Sequence, residues 1–167
     1  MFPLRTILYA TDLVDDSEDT FRLACALARD QQARLVVLHV AEPAPFITYR
    51  EMERQLEKVR GYRRELLDKL HGLRPDDPRI QVEYRLEDGD PATEILQLAR
   101  VLDSHLVVLG THGRRGLDRL LLGSVAEQVL RRAPCPVLTA RAPAAKAGRE
   151  GPTEARQGDS LAPGPMR

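Results

Sequence analysis

Short apolar segments alternate with longer amphipathic segments along the first 140 residues of the chain. The short segments are rich in apolar and β-branched residues, which predicts five strands, over residues 4–10, 34–40, 80–86, 105–110 and 136–140. Between them, apolar residues recur at spacings of three and four, which predicts helices over residues 16–31, 50–72, 91–102 and 124–132. Asp90 and Pro91 mark the start of the third helix, because aspartate is a favoured N-cap and proline suits a first turn. Strands and helices that alternate in this way form βαβ units around a parallel sheet.

The composition of each strand predicts its place in the sheet. The second and fourth strand segments are almost continuously apolar, which is typical of central strands covered on both faces. The third segment alternates polar and apolar residues and is predicted to be an edge strand. Right-handed crossovers and short connections favour a doubly wound sheet with helices on both faces. Ligands of such sheets bind beyond the carboxyl ends of the strands, so we look for chemistry after Ala10, Val40 and Leu109.

Charge and composition exclude several classes of function. The chain has 25 Lys and Arg against 25 Asp and Glu, without the basic excess of a general nucleic-acid-binding protein. With three Phe, four Tyr and no Trp, base stacking on aromatic side chains is not expected either. Two cysteines form no disulfide framework, and no apolar run approaches the ~20 residues of a membrane span. We therefore expect a cytoplasmic protein that binds neither nucleic acid nor membrane.

The last 27 residues differ from the rest of the chain. Residues 141–167 contain six Ala, four Pro and four Gly, and their only large apolar residues are Leu161 and Met166. Such a segment buries too little surface to offset its ordering entropy, so it is predicted to be a disordered tail. The remaining residues, 1–140, form the predicted domain.

A glycine-rich segment follows the fourth strand. Gly110 lets the strand turn away from the sheet, Gly113 and Gly116 permit a close backbone approach, and Gly123-Ser124 precedes the fourth helix. A helix N-terminus offers free N–H groups and a partial positive charge, which suit a phosphate, and Arg114, Arg115 and Arg119 add cations nearby. Tight turning by glycine with Ser124 as an N-cap explains the pattern equally well. Neither a GxxxxGK[ST] loop nor a GxGxxG fingerprint is present.

The spacing Gly110-x2-Gly113-x9-Gly123-Ser124 resembles the ATP-binding signature of the universal stress protein family. Four flanking segments strengthen the resemblance in the same chain order: residues 6–12, 89–92, 104–109 and 133–138. The resemblance covers about residues 2–141 and leaves the tail outside it. It implies a Rossmann-like, five-stranded parallel sheet in the order 3-2-1-4-5, and a homodimer. The last strand, residues 136–140, is predicted to be an edge strand, and an unpaired edge invites pairing with a second copy, so we expect the dimer to form there.

The resemblance also implies a bound ATP, with Mg²⁺, and a set of residues that hold it. Ala10 and Asp12 would lie at the end of the first strand, with Asp12 on the ribose and phosphate side, and Val40 would contact adenine through its backbone. Leu109 and Gly110 would flank the ribose. The phosphates would be held by Gly113, Gly123, Ser124 and Val125. For Asp12 the alternative is an acidic residue that only favours the following helix N-terminus.

Three functions remain open at this point. A phosphate-binding site without an evident catalytic set favours a nucleotide-dependent regulatory or stress-response protein. A slow ATPase or phosphoryl-transfer enzyme of the same fold is the alternative, and an interaction domain that has lost ATP is a third. His39 is predicted to be a hydrogen-bonded core or strand-end residue, and Cys25 and Cys135 to be buried apolar residues rather than reactive thiols.

Overall fold

The structure is a computed structural model that describes residues 3–13, 18–42, 49–110 and 123–140, and the side chains among them except those of 49–57. It contains five strands: β1 (Thr6–Ala10), β2 (Arg34–Ala41), β3 (Val82–Asp88), β4 (Leu106–Gly110) and β5 (Val137–Ala140). It contains four helices: α1 (Glu18–Gln31), α2 (Tyr49–Gly72), α3 (Pro91–Val101) and α4 (Ser124–Arg132). The predicted tail, 141–167, lies outside the described residues.

The five strands form one parallel sheet in the order β3-β2-β1-β4-β5. Strand order therefore reverses beside β1, since the chain moves outward first through β2 and β3 and then, on the other side, through β4 and β5. The predicted fold and strand order are confirmed, and so are the central positions of β2 and β4 and the edge position of β3.

The core has two layers, one on each face of the sheet. Alternate residues of the inner strands point to opposite faces, so that in β1 Ile7 and Tyr9 join one apolar cluster and Leu8 joins the other. The first cluster includes residues of α1 and α2, and the second includes residues of α3 and α4. Because β1, β2 and β4 bury side chains on both faces, helices must cover both sides, as the apolar composition of β2 and β4 predicts.

The predicted boundaries agree with the structure to within two residues, and β3 differs most. It runs two residues later than the predicted 80–86, because its pairing with β2 begins at Val82 opposite Leu35 and continues to Asp88 opposite Ala41. Ile80 belongs instead to the preceding turn, where its N–H donates to the carbonyl of Asp77 (3.2 Å). Cross-strand register, which periodicity does not report, decides this boundary.

Asp90 is the N-cap of α3, as predicted. Its carboxylate accepts from the backbone N–H of Thr93 (2.9 Å) and from the Thr93 hydroxyl (2.6 Å). These two hydrogen bonds hold the pKa of Asp90 below its usual value of 3.8. The cap thereby fixes the point at which the chain leaves β3 and enters the helix that covers the second core cluster.

We expect Asp90→Ala to lower the free energy of unfolding by about 1 kcal/mol at pH 7, because the first turn of α3 loses its side-chain acceptor. Asp90→Asn is the control and should retain most of the stability, since asparagine caps about as well as aspartate. Urea denaturation at pH 7 measures both variants.

The same carboxylate makes the stability depend on pH. Because the pKa of Asp90 is lower in the folded chain than in the unfolded chain, its contribution is present above pH 3.8 and is lost as the pH falls through the folded pKa. The difference in stability between the parent and Asp90→Ala should therefore shrink at acidic pH. A difference that stays constant from pH 7 down to pH 2 would contradict this assignment.

Candidate functional site

The carboxyl ends of the three inner strands meet at one edge of the sheet. Ala10, the last residue of β1, pairs with Leu38 of β2 on one side and with Leu109 of β4 on the other. Beyond it, the N–H of Thr11 donates to the carbonyl of Leu38 (2.9 Å) and extends the ladder by one residue. Since strand order reverses at β1, this edge is the place where doubly wound sheets bind ligands.

Three of the predicted site residues lie on the same face of this edge, and a fourth, Val125, packs against the cluster on that face. Leu109 is a buried member of the cluster covered by α3 and α4, and Ala10, Val40 and Val125 are partly buried against that cluster. They come from three strands and one helix, and the fold alone brings them together. Gly110 follows Leu109 as the last residue of β4 and lies at the same edge, opposite Ala140 of β5.

The turn after β1 carries Asp12, which is half-buried. Thr11 holds this turn by accepting, through Oγ1, a hydrogen bond from the backbone N–H of Leu13 (3.0 Å). Leu13 has φ = 59°, in the left-handed region that leucine rarely adopts, so the local bond and the surrounding packing stabilise an unfavourable backbone conformation. Thr11 was not among the residues predicted for the site. A threonine beside the acidic residue of a strand-end turn is the sequence signal for a hydrogen bond from a backbone N–H two residues later to its hydroxyl oxygen.

Among the residues that the structure describes, no side chain caps the start of α4. Its N-cap is Gly123, with φ = −58° and ψ = 150°. The first intrahelical bond runs from the N–H of Glu127 to the carbonyl of Gly123 (2.9 Å), so the N–H groups of Ser124, Val125 and Ala126 precede the helical ladder. Ser124 is the first helical residue and is exposed. Ser124 is therefore not the N-cap, in contrast to the alternative considered from the sequence.

Part of the predicted site lies outside the described residues. This applies to Gly113 and Gly116, and to the nearby cations Arg114, Arg115 and Arg119. The described residues therefore place Ala10, Asp12, Val40, Leu109 and Gly110 at the strand ends and Gly123, Ser124 and Val125 at the start of α4.

The carboxyl end of β3 is fastened to the same edge. The N–H of Gly89 donates to the carbonyl of Ala41 at the end of β2 (3.1 Å), and Gly89 has φ = 151°. A side chain there would be strained, and a Cβ would lie 2.9 Å from Oε1 of Glu94. On the face of the sheet that α1 and α2 cover, Arg63 of α2 forms an ion pair with Asp88 and donates to the carbonyl of Leu86 (3.3 Å). These contacts fix the end of β2 from its outer side.

His39 is hydrogen-bonded and only 4% exposed, as predicted. Its Nδ1 lies 2.8 Å from the carbonyl oxygen of Thr11, across the boundary between β2 and the turn after β1.

Within residues 3–13, 18–42, 49–110 and 123–140, no group of three or more His, Cys, Asp or Glu residues is arranged to hold a metal ion. None of the helices that the structure describes is long and apolar enough to cross a membrane.

Both thiols lie in apolar surroundings. Cys25 of α1 is buried in the first core cluster, and burial raises its pKa to about 11, with Asp76 adding to the effect. Cys135 packs against the second cluster, and burial raises its pKa, although a backbone hydrogen bond from Val107 opposes the shift. A raised thiol pKa lowers the thiolate fraction, which agrees with structural rather than reactive cysteines.

The described residues form a doubly wound α/β fold in which Gly110 ends β4 and Gly123 is the N-cap of α4. The sequence profile described as the universal stress protein family matches residues 3–141. A universal stress protein of Methanocaldococcus jannaschii is 32% identical over 144 residues, which cover 83% of each chain. The chain belongs to the universal stress protein family.

Solved structures share the fold. A universal stress protein from Lactobacillus plantarum matches with a TM-score of 0.70 and 22% identity, over 84% of this chain and 100% of that chain. A universal stress protein in complex with cAMP matches with a TM-score of 0.59 and 23% identity, over 85% and 100%. One from Archaeoglobus fulgidus in complex with dAMP matches with a TM-score of 0.57 and 21% identity, over 83% and 98%.

We expect both cysteines to react slowly with iodoacetamide in the folded protein at pH 8. A pKa of about 11 instead of 9.0 leaves Cys25 with roughly a hundredth of the ordinary thiolate fraction, and burial shields it further. Cys135, which is less buried, should react before Cys25. Mass spectrometry of timed samples measures each rate.

Protein unfolded in guanidinium chloride is the control for this comparison, because both thiols then become exposed. Alkylation of Cys25 at the same rate in folded and unfolded protein would contradict the structural assignment.

Proposed function

We propose that this protein binds ATP, with Mg²⁺, at the carboxyl edge of its sheet and acts in the cytoplasm as a nucleotide-dependent regulatory or stress-response module. The observation that carries the proposal is the first turn of α4, which begins at Gly123 without a side-chain cap among the described residues and packs Val125 against the cluster that includes Ala10 and Leu109. A helix N-terminus at a switch point provides backbone donors and a partial positive charge for a phosphate.

The structures of relatives support an adenine nucleotide as the ligand. Universal stress proteins in complex with cAMP and with dAMP share the fold of this chain. Both ligands combine adenine, a ribose-type sugar and phosphate. The glycine and serine spacing of this chain, Gly110-x2-Gly113-x9-Gly123-Ser124, extends the inference from adenine nucleotides to ATP through its resemblance to the family signature.

The proposed arrangement places the base and the triphosphate at opposite ends of the site. The backbone of Val40 contacts adenine, and Ala10 lies beside the ribose, with Leu109 and Gly110 across from it. Asp12 lies on the ribose and phosphate side. The phosphates extend toward the start of α4, where they are held by the backbone of Gly123, Ser124 and Val125 and by the Ser124 hydroxyl. Gly113, which lies outside the described residues, completes the phosphate contacts in this proposal.

We expect calorimetric titration with Mg-ATP to show saturable binding by the full chain. Gly123→Val should lower the affinity by about 10- to 100-fold, because a branched side chain at the N-cap keeps the phosphates from donors whose hydrogen bonds to a charged group contribute about 1.5–3 kcal/mol. The backbone angles of Gly123 are accessible to valine, so the variant should fold.

Gly61→Val is the matched control for this titration. A Cβ at Gly61 of α2 meets nothing within 4 Å, so the substitution adds the same side chain away from the site. Parent protein that fails to bind Mg-ATP would refute the proposal, and equal losses in Gly61→Val and Gly123→Val would remove the assignment of the phosphates to α4.

We further propose a homodimer that pairs through β5, the uncharged edge strand. The described structure leaves one side of β5 without a neighbouring strand, since its ladder partner is β4 alone. An edge of this kind readily pairs with a second copy. Sedimentation equilibrium at micromolar concentration should give twice the 18.7 kDa mass of one chain, and a single-chain mass would contradict the dimer.

A further inference from the structure

Thr11 connects β1, β2 and the Asp12 turn through three hydrogen bonds. Its N–H donates to the carbonyl of Leu38 (2.9 Å), and its hydroxyl oxygen accepts from the N–H of Leu13 (3.0 Å). Its carbonyl oxygen lies 2.8 Å from Nδ1 of His39. The last of these bonds is made by a side chain of β2 and therefore depends on the placement of that strand relative to the turn.

The bond to Thr11 fixes the tautomer of His39. A carbonyl oxygen is only an acceptor, so Nδ1 of His39 must carry the hydrogen that it donates to Thr11. The side chain is 4% exposed, and solvent does not compete appreciably for this donor. A buried carbonyl that lost it would be left without the partner that now orients it.

His39 acts from the face of the sheet opposite the proposed ligand. In β2, Leu35 and Val37 point to the α1/α2 cluster, whereas Val36 and Leu38 point to the α3/α4 cluster. By the same alternation His39 faces the α1/α2 side, and Val40 faces the side on which Ala10 and Leu109 lie. His39 is therefore placed to orient the strand ends without touching the ligand itself.

The residues that His39 connects are those assigned to the nucleoside. It directly precedes Val40, whose backbone is the proposed adenine contact, and it bonds the residue directly before Asp12 on the ribose side. The phosphate contacts proposed among the described residues, by contrast, lie at the start of α4, which packs on the other face of the sheet. The bond thus connects the strand ends assigned to adenine and ribose, and it makes no contact with the start of α4, to which the phosphates are assigned.

We infer that His39 is a positioning residue that sets the distance between the backbone of Val40 and the Asp12 turn, and so determines affinity for the nucleoside part of the ligand. This inference rests on the proposed nucleotide site. It adds a division of that site into a half that depends on His39 and a half that does not.

The test uses the full chain and two probes, adenosine for the nucleoside half and tripolyphosphate for the phosphate half. His39→Leu removes the donor, and we expect the affinity for adenosine to fall about tenfold while the affinity for tripolyphosphate stays within about twofold of the parent. His39→Asn places an amide N–H near the position of Nδ1, and we expect it to restore adenosine binding to within about threefold of the parent.

His105→Asn is the matched control. His105 precedes β4 at the amino end of the sheet, where its backbone N–H donates to the carbonyl of Thr6 (2.9 Å). Because this position is far from the carboxyl edge, the substitution should leave the affinities for both probes unchanged. Equal losses for adenosine and tripolyphosphate in His39→Leu would indicate a general structural defect and would overturn the inference. Unchanged adenosine binding in that variant would overturn it as well.

A measurement on the parent protein does not depend on whether His39→Leu folds. The ¹⁵N–¹H spectrum of the His39 ring should show a protonated Nδ1 without ligand, and a ring protonated only at Nε2 would overturn the inference. Parent protein that binds neither ATP nor adenosine would instead refute the proposed function, so the two failures are distinguishable.

Discussion

Burial of both faces of the three inner strands is the constraint on which the rest of this structure depends. β1, β2 and β4 carry apolar side chains at successive positions, and each strand supplies alternate residues to two separate core clusters. Roughly 25 cal/mol is gained for each Å² of apolar surface removed from water, so neither face can be left to solvent. Helices must then lie on both sides, and a chain that winds both ways from β1 places its strand-order reversal at the ends of β1 and β4.

The location of the site follows from that packing rather than from the site residues themselves. Ala10, Val40 and Leu109 have ordinary apolar side chains, and nothing in their chemistry marks them as contacts for a ligand. They lie together because the parallel ladders bring the carboxyl ends of their strands to one edge, and Val125 of α4 packs against the same cluster. The apolar side chains hold the strand ends in place, and the backbone at those ends is left to provide polar contacts.

The sequence predicted the parts of the fold that depend on local pattern and composition. The N-cap at Asp90 comes from a residue with a strong positional preference, and the structure has it. The start of α4 at residue 124 is also as predicted, although Gly123 rather than Ser124 is the N-cap. The two-residue shift of β3 could not be predicted, because it is set by the pairing of Val82 with Leu35, almost fifty residues earlier in the chain. The bond from His39 to Thr11 is of the same kind, since 28 residues separate the partners and only the alignment of β1 with β2 brings them within 2.8 Å. Pattern therefore located the strand ends, but not the contacts that fix one strand end relative to another.

The two edges of the sheet are chemically unlike, and this difference bears on which edge is available for pairing. β3 carries Glu83, Arg85, Glu87 and Asp88, and Glu83 forms ion pairs with Arg34 and Arg85. Exposed ion pairs contribute little to stability, but charges along an edge strand oppose its pairing with another chain, because pairing would remove them from water. β5 has the sequence Val-Leu-Thr-Ala, with no charged residue, and all four residues are half-buried. Among the residues that the structure describes, β5 has a ladder partner on one side only, and its side chains carry no charge that pairing would remove from water, so the charge pattern favours β5 over β3 as the edge for the proposed dimer.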